Sequence, residues 1–129
     1  MCNNQKFFIC KHCGNLIGLI DNKRIPMVCC DEKMEELVPN TVEASAEKHL
    51  PVIDEVMADS LSVQIGSASH PMEEGHHITF VYVESERGGQ RKCLKVGEEP
   101  KLEFRFSNDK PIAVYAYCNL HGLWKTEVR

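Results

Sequence analysis

No apolar run in this 129-residue chain approaches the ~18 residues that cross a bilayer as a helix, which excludes a helical membrane span. The opening MCNNQKFFIC lacks a basic start followed by an apolar stretch, so it does not read as a secretory leader, and a cytoplasmic location is expected. Lysine and arginine are scattered among aspartate and glutamate, for a net charge of -4. That leaves no basic stripe to neutralise a phosphate backbone, and nucleic acid is not an expected partner. Internal repeats and low-complexity segments are also missing. What the chain has in excess is cysteine, seven in all, together with six histidines. A reducing cytosol disfavours a disulfide framework, so metal binding becomes the leading explanation for the thiols.

Residues 1–36 read as a self-contained unit: FFICKHCGNLIGLI, a turn at DNKR, then IPMVCCDEKM. So short a unit cannot fold on apolar burial alone and needs a staple, and four cysteines lie inside it. Residues 37–50 read as a connector containing a short helix, with Asn40 as N-cap, Glu43 three residues later and Pro51 closing it. Over residues 51–129 period-two alternation takes over in LSVQI, ITFVYVE, RKCLKV, KLEFRF, IAVYAYC and WKTEV. The breaks SASHPMEEG, SERGG, GEEP and SNDKP are rich in turn residues. Short strands at such intervals predict a mainly β chain whose second part is an antiparallel β-sandwich.

Cys10 and Cys13 form a CxxC turn, and the adjacent pair Cys29 and Cys30 follows after 15 intervening residues. A CxxC turn presents two sulfurs on one side, and four thiolates suit a tetrahedral ion. Spacing alone does not choose between zinc and iron. Adjacent ligands must splay apart, which predicts a distorted tetrahedron. His12, inside the CxxC loop, reads as an exposed polar residue. Near the other end of the chain, Cys118 and His121 stand three residues apart, while His49, His70, His76 and His77 fall within or beside loops of the same part. Imidazole suits iron, zinc and copper, and a thiolate adds electron donation. This gathering favours a shared histidine and cysteine metal site over scattered polar residues. A nucleophilic Cys118 with His121 as base is weaker, because no orienting carboxylate or oxyanion hole is evident nearby. Cys2 and Cys93 have no partners at ligand spacing and read as a terminal thiol and a strand residue.

Taken together, CKHCG with CC, then EKHLP, SHPMEEGHH and YCNLHGLW, four motifs in order over nearly the whole chain, resemble the desulfoferrodoxin family of two-iron superoxide reductases. The resemblance implies a desulforedoxin-like module holding a rubredoxin-type iron on Cys10, Cys13, Cys29 and Cys30. An immunoglobulin-like sandwich with a second, active iron would follow, for two iron ions per chain. The implied ligands of the active iron are the imidazoles of His49, His70, His76 and His121 and the axial thiolate of Cys118. The pattern departs at His77, where the family carries an aromatic residue. Neighbouring side chains on a strand point to opposite faces, so only one of His76 and His77 can reach the metal, and motif alignment favours His76.

Five protein ligands would leave one octahedral position open for superoxide, to be reduced by one electron to hydrogen peroxide. In the family's scheme Lys48 would attract the anion and organise a proton-donating water, while Glu47 would take the vacant position in the ferric resting state. The four-cysteine centre would serve electron transfer or structural support. The expected reductant is rubredoxin or a similar electron donor, and a homodimer is expected. On the residues alone two other classes stay open: a non-catalytic electron carrier working through the N-terminal iron, and a zinc-stapled interaction module.

Overall fold

The computed structural model describes residues 4–128. Cys2 therefore lies outside the described residues. The chain divides into two compact units, Met1–Val38 and Pro39–Arg129. In the first, the strands are β1 (Lys6–Ile9), β2 (Leu16–Leu19), β3 (Val28–Cys29), β4 (Glu32–Lys33) and β5 (Glu35–Glu36). They form a three-stranded sheet in the order β2-β1-β5 and a separate β3-β4 hairpin. Among the described residues Phe7 and Cys10 are the buried apolar ones of this unit, too few to hold it by burial alone. The hairpin joining β1 to β2 carries the CxxC turn, closed by Cys10 N–H to Asn15 O (2.8 Å) and Gly14 N–H to Cys10 O (2.9 Å).

Among its described residues the second unit contains one helical turn, α1 (Ala46–His49), and seven strands: β6 (Pro51–Val56), β7 (Ser60–Ile65), β8 (Ile78–Ser85), β9 (Gly88–Cys93), β10 (Lys101–Arg105), β11 (Pro111–Cys118) and β12 (Gly122–Glu127). Two antiparallel sheets, β10-β7-β6 and β12-β11-β8-β9, make the immunoglobulin-like sandwich. Strand β7 shows why: alternate residues Leu61, Val63 and Ile65 are buried while their neighbours are not, as a strand with one face on a core requires. Ile78, Val81 and Val83 of β8, Phe104 of β10, and Val114, Ala116 and Cys118 of β11 complete the core. Cys118 is thus a core residue before it is anything else. Among the described residues no helix is long and apolar enough to cross a membrane.

Two local expectations are corrected, and one strand joins those that the alternation predicts. Asn40 does not cap the helix, because Ser45 occupies the N-cap position. Asn40 instead adopts a left-handed φ of 64° and pairs with β12, its amide bonding both the N–H (2.9 Å) and the carbonyl (3.1 Å) of Lys125. The strand read as RKCLKV runs instead over Gly88–Cys93, with Cys93 its last residue. Finally, PVIDEV at Pro51–Val56 is a full strand paired with β7, with a register shift between Ile53 and Glu55.

Candidate metal centres

The sulfurs of Cys10, Cys13, Cys29 and Cys30 all lie within 4.8 Å of one another. Cys13 and Cys29 are 3.6 Å apart and Cys29 and Cys30 4.0 Å. Four sulfurs placed ~2.3 Å from one ion at tetrahedral angles stand about 3.8 Å apart, so this spacing is that of a four-thiolate metal site. The adjacent cysteines reach one centre through the turn between β3 and β4. Cys30 and Asp31 have φ of 53° and 62°, the pair of positive values that a two-residue type I′ loop requires. The Asn15 N–H points at Cys13 Sγ (3.5 Å) and its side-chain amide at Cys29 Sγ (3.8 Å). The backbone amide of Cys13 and that of His12 help bring the Cys10 thiol down to about 6, whereas contact with the Cys10, Cys13 and Cys29 thiols pushes Cys30 up to about 12. Crowded thiols of this kind cannot all ionise without a cation among them, which is the chemistry of a metal ligand set. His12 is exposed and pairs with Glu32 at 2.9 Å.

In the sandwich, the ligand atoms of His49, His70, His76 and Cys118 also lie within 4.8 Å of one another. His121 joins them, its Nδ1 standing 3.1 Å from His49 Nε2 and 3.8 Å from Cys118 Sγ. The four imidazoles form a ring in the order His49, His70, His76, His121. Successive centroids are 4.6, 4.7, 5.0 and 4.9 Å apart, each pair near edge-to-face, and the His49–His76 diagonal is 6.2 Å. Donors about 2.1 Å from one ion and at right angles would be about 3.0 Å apart, close to the His49–His121 separation.

Two of the rings are held by a backbone carbonyl behind them. His49, the buried residue of α1, donates from Nδ1 to the Ser45 carbonyl (2.7 Å), which leaves Nε2 bare and facing the ring. His70 donates from Nδ1 to Pro71 O (2.6 Å). His70 Nε2 and His76 Nε2 are buried with no hydrogen-bond partner. Two such orphans on facing imidazoles are costly unless a cation takes them, and this is the observation that fits a metal here. Burial pushes the pKa of His49 and His76 down and that of His70 down to about 4, favouring the neutral ligand form. The Lys48 charge acts on His49 and His76 in the same direction, so it is felt inside the ring.

Glu47 and Lys48 are exposed on α1, two residues and one residue before the end of its single turn. That turn is seated on the loop after β7. The Glu47 carbonyl accepts from Ser67 N–H (2.8 Å) and Oγ (3.2 Å), and Gly66 N–H donates to Leu50 O (3.0 Å). Gly66 has φ of +84°, and a Cβ there would collide with the backbone carbonyls of Lys48 and Ala68. His77 lies outside the cluster, its Nδ1 donating to Glu73 O (3.0 Å). Sequence reasoning did not find Trp124. It stacks on His49 (4.9 Å between centroids, 23°) and donates from Nε1 to the His121 carbonyl (3.1 Å), touching two of the four rings' residues at once.

A four-thiolate module followed by a sandwich bearing four imidazoles and a buried thiolate defines a class of two-centre, non-haem metalloprotein. Comparison with known proteins makes the assignment specific. The profile of the family described as Desulfoferrodoxin matches residues 41–127. A desulfoferrodoxin of Nitratidesulfovibrio vulgaris is 39% identical, covering 98% of this chain and 99% of its own. A desulfoferrodoxin homolog of Archaeoglobus fulgidus is 38% identical over 95% of this chain and 96% of its own. The crystal structure of the superoxide reductase from Treponema pallidum superposes with a TM-score of 0.80 at 32% identity, covering 97% of this chain and all (100%) of that one. The chain belongs to the desulfoferrodoxin family. Its two clusters are consistent, in number and in donor chemistry, with the two iron sites of desulfoferrodoxin.

Proposed function

We propose that the chain is a superoxide reductase, acting in the cytoplasm as a homodimer and drawing electrons from rubredoxin or a similar donor. The observation that carries the reading is the ring of four imidazoles, two of them with buried, unpartnered Nε2 atoms, gathered beside the fully buried Cys118 sulfur. His49, His70, His76, His121 and Cys118 would hold the active iron, and Cys10, Cys13, Cys29 and Cys30 the other. Ferrous iron in the first set supplies one electron, which with two protons converts superoxide to hydrogen peroxide.

The chain's own residues do the rest. The Ser45 and Pro71 carbonyls orient His49 and His70 and fix their tautomers, so that neither ring has to turn when the ion is held. Cys118, as thiolate, donates electron density from the core side and is shielded there from water and oxidants. Approach is therefore from the solvent side, where Lys48 stands exposed on α1 and attracts the anion. Lys48 also orders the water that delivers protons, and Glu47 beside it covers the site between turnovers. The four-cysteine cluster uses every sulfur on one centre, which suits electron transfer or support of the small module rather than substrate binding.

Metal analysis with an absorption spectrum tests the reading. Two irons per chain, thiolate-to-iron charge-transfer bands from both centres, and rapid change of the sandwich band on mixing with superoxide are the expected results. Zinc in the four-cysteine cluster with no iron in the sandwich would leave a stapled interaction module, and a sandwich band indifferent to superoxide would leave an electron carrier.

A further inference from the structure

Three hydrogen bonds fasten the loop that presents His76 to the turn that presents Cys118 and His121, and Asn119 makes all three. Its backbone N–H donates to His77 O (3.1 Å), its Oδ1 accepts from His77 N–H (2.8 Å), and its Nδ2 donates to Gly75 O (3.0 Å). The pairing of β8 with β11 is irregular just before this point, with a register shift between Tyr117 and Cys118. Such a shift re-aims side chains and ends the regular ladder. Beyond it the Asn119 carboxamide does what a further pair of backbone groups would do, offering one acceptor and one donor from a single short side chain.

The grip falls on both sides of His76. Gly75 and His77 are each bonded to Asn119, and the loop is closed on itself by Glu73 N–H to His76 O (2.9 Å) and His76 N–H to Glu73 O (3.2 Å). Among the described residues no backbone carbonyl bonds the His76 ring as Ser45 bonds His49 and Pro71 bonds His70, and its Nε2 is unsatisfied. Its placement therefore depends on the backbone that carries it. We propose that Asn119 is a positioning residue that sets His76 relative to Cys118 and His121, and so tunes the sandwich metal site without touching the metal. This rests on the metal-site reading above.

The test compares wild type, Asn119→Ala, Asn119→Asp and the exposed neighbour Leu120→Ser, each reconstituted anaerobically with ferrous iron. Iron retention in the sandwich is read against a competing chelator, the energy of the thiolate-to-iron band after oxidation, and the melting of each metal-free protein separately. Loss of an outer-shell partner weakens metal binding by about 10–100-fold, and Asn119→Ala should fall in that range with a shifted band. Asn119→Asp keeps the acceptor for His77 and loses the donor to Gly75, so it should lie between. Leu120→Ser should match wild type. Wild-type iron retention and band energy in Asn119→Ala, with only a lower melting temperature, would overturn the proposal and leave Asn119 a stabilising turn residue. Should Asn119→Ala fail to fold, wild-type retention and band in Asn119→Asp would overturn it equally. A wild-type sandwich that takes up no iron would overturn the metal-site reading itself, and the positioning role with it.

Discussion

Replacing Lys48 with isoleucine removes one positive charge next to His49 while leaving all five candidate ligands in place. The side chain is exposed, and its charge adds to burial, the main cause, in lowering the pKa of His49 and His76. At roughly 8 Å from a superoxide anion, with an effective dielectric constant of about 40, one unit charge contributes about 1 kcal/mol, or about fivefold in the frequency of productive encounters. The chain's net charge of -4 repels the same anion, so a local cation matters more than its size suggests. Screening follows a Debye length of about 10 Å at 0.1 M salt, which makes the contribution sensitive to ionic strength. Lys48→Ile should therefore slow the superoxide step by about fivefold to tenfold and flatten its salt dependence, with the ligand absorption unchanged. Lys48→Arg should recover most of the loss. Stopped-flow mixing with pulsed superoxide over a salt series reads both quantities. An unchanged rate with the wild-type salt slope would refute electrostatic steering by this residue.

Cys118→Ser should abolish the sulfur-to-iron band of the sandwich centre and most of its activity, since a hydroxyl is a poor donor beside a thiolate; persistence of that band would point to another cysteine. Cys13→Ser should remove the four-sulfur centre and destabilise the small module, while pre-reduced protein still reacts with superoxide, because every candidate ligand of the active centre lies at or after His49. Loss of both metals in that variant would show that the centres are not separable. Gly66→Ala places a Cβ against the Lys48 and Ala68 carbonyls at a left-handed φ, and should cost about 1–3 kcal/mol in denaturant unfolding and displace the turn that carries Glu47 and Lys48; a wild-type midpoint would contradict that seating.

Where side chains alternate between core and surface, the sequence was readable. LSVQI and IAVYAYC are strands because their buried members fill one core, and the pattern survives any detail of pairing. PVIDEV hid its strand behind an opening proline and a run of exposed Asp54, Glu55 and Val56 at a register shift. The Gly88–Gly89 pair reads as a turn, yet both residues are in β9, paired with Ser85 and Glu84, and at Gly89 the end of the Tyr82 side chain lies where a Cβ would stand. The cysteine and histidine motifs brought the candidate ligands into view, but not what holds them. Ser45 and Pro71 act through backbone carbonyls, which any residue type would supply. Asn119 grips residues 42 and 44 positions away, and Asn40 grips Lys125 across 85 positions. Such amides look like ordinary turn residues until the chain is folded, which is why the sequence around Asn40 reads as a helix cap. The adjacent cysteines were awkward on paper because the type I′ turn that lets them converge depends on the strands on either side.

The most direct test of the central claim is the stoichiometry of peroxide and oxygen when fully reduced, iron-loaded protein meets a limited quantity of superoxide. Reduction at the sandwich centre predicts one hydrogen peroxide for each superoxide consumed, one oxidised centre for each peroxide formed, and no release of oxygen. Oxygen released in equal amount to peroxide, with the centre returned to its reduced state, would mean dismutation and would contradict the account.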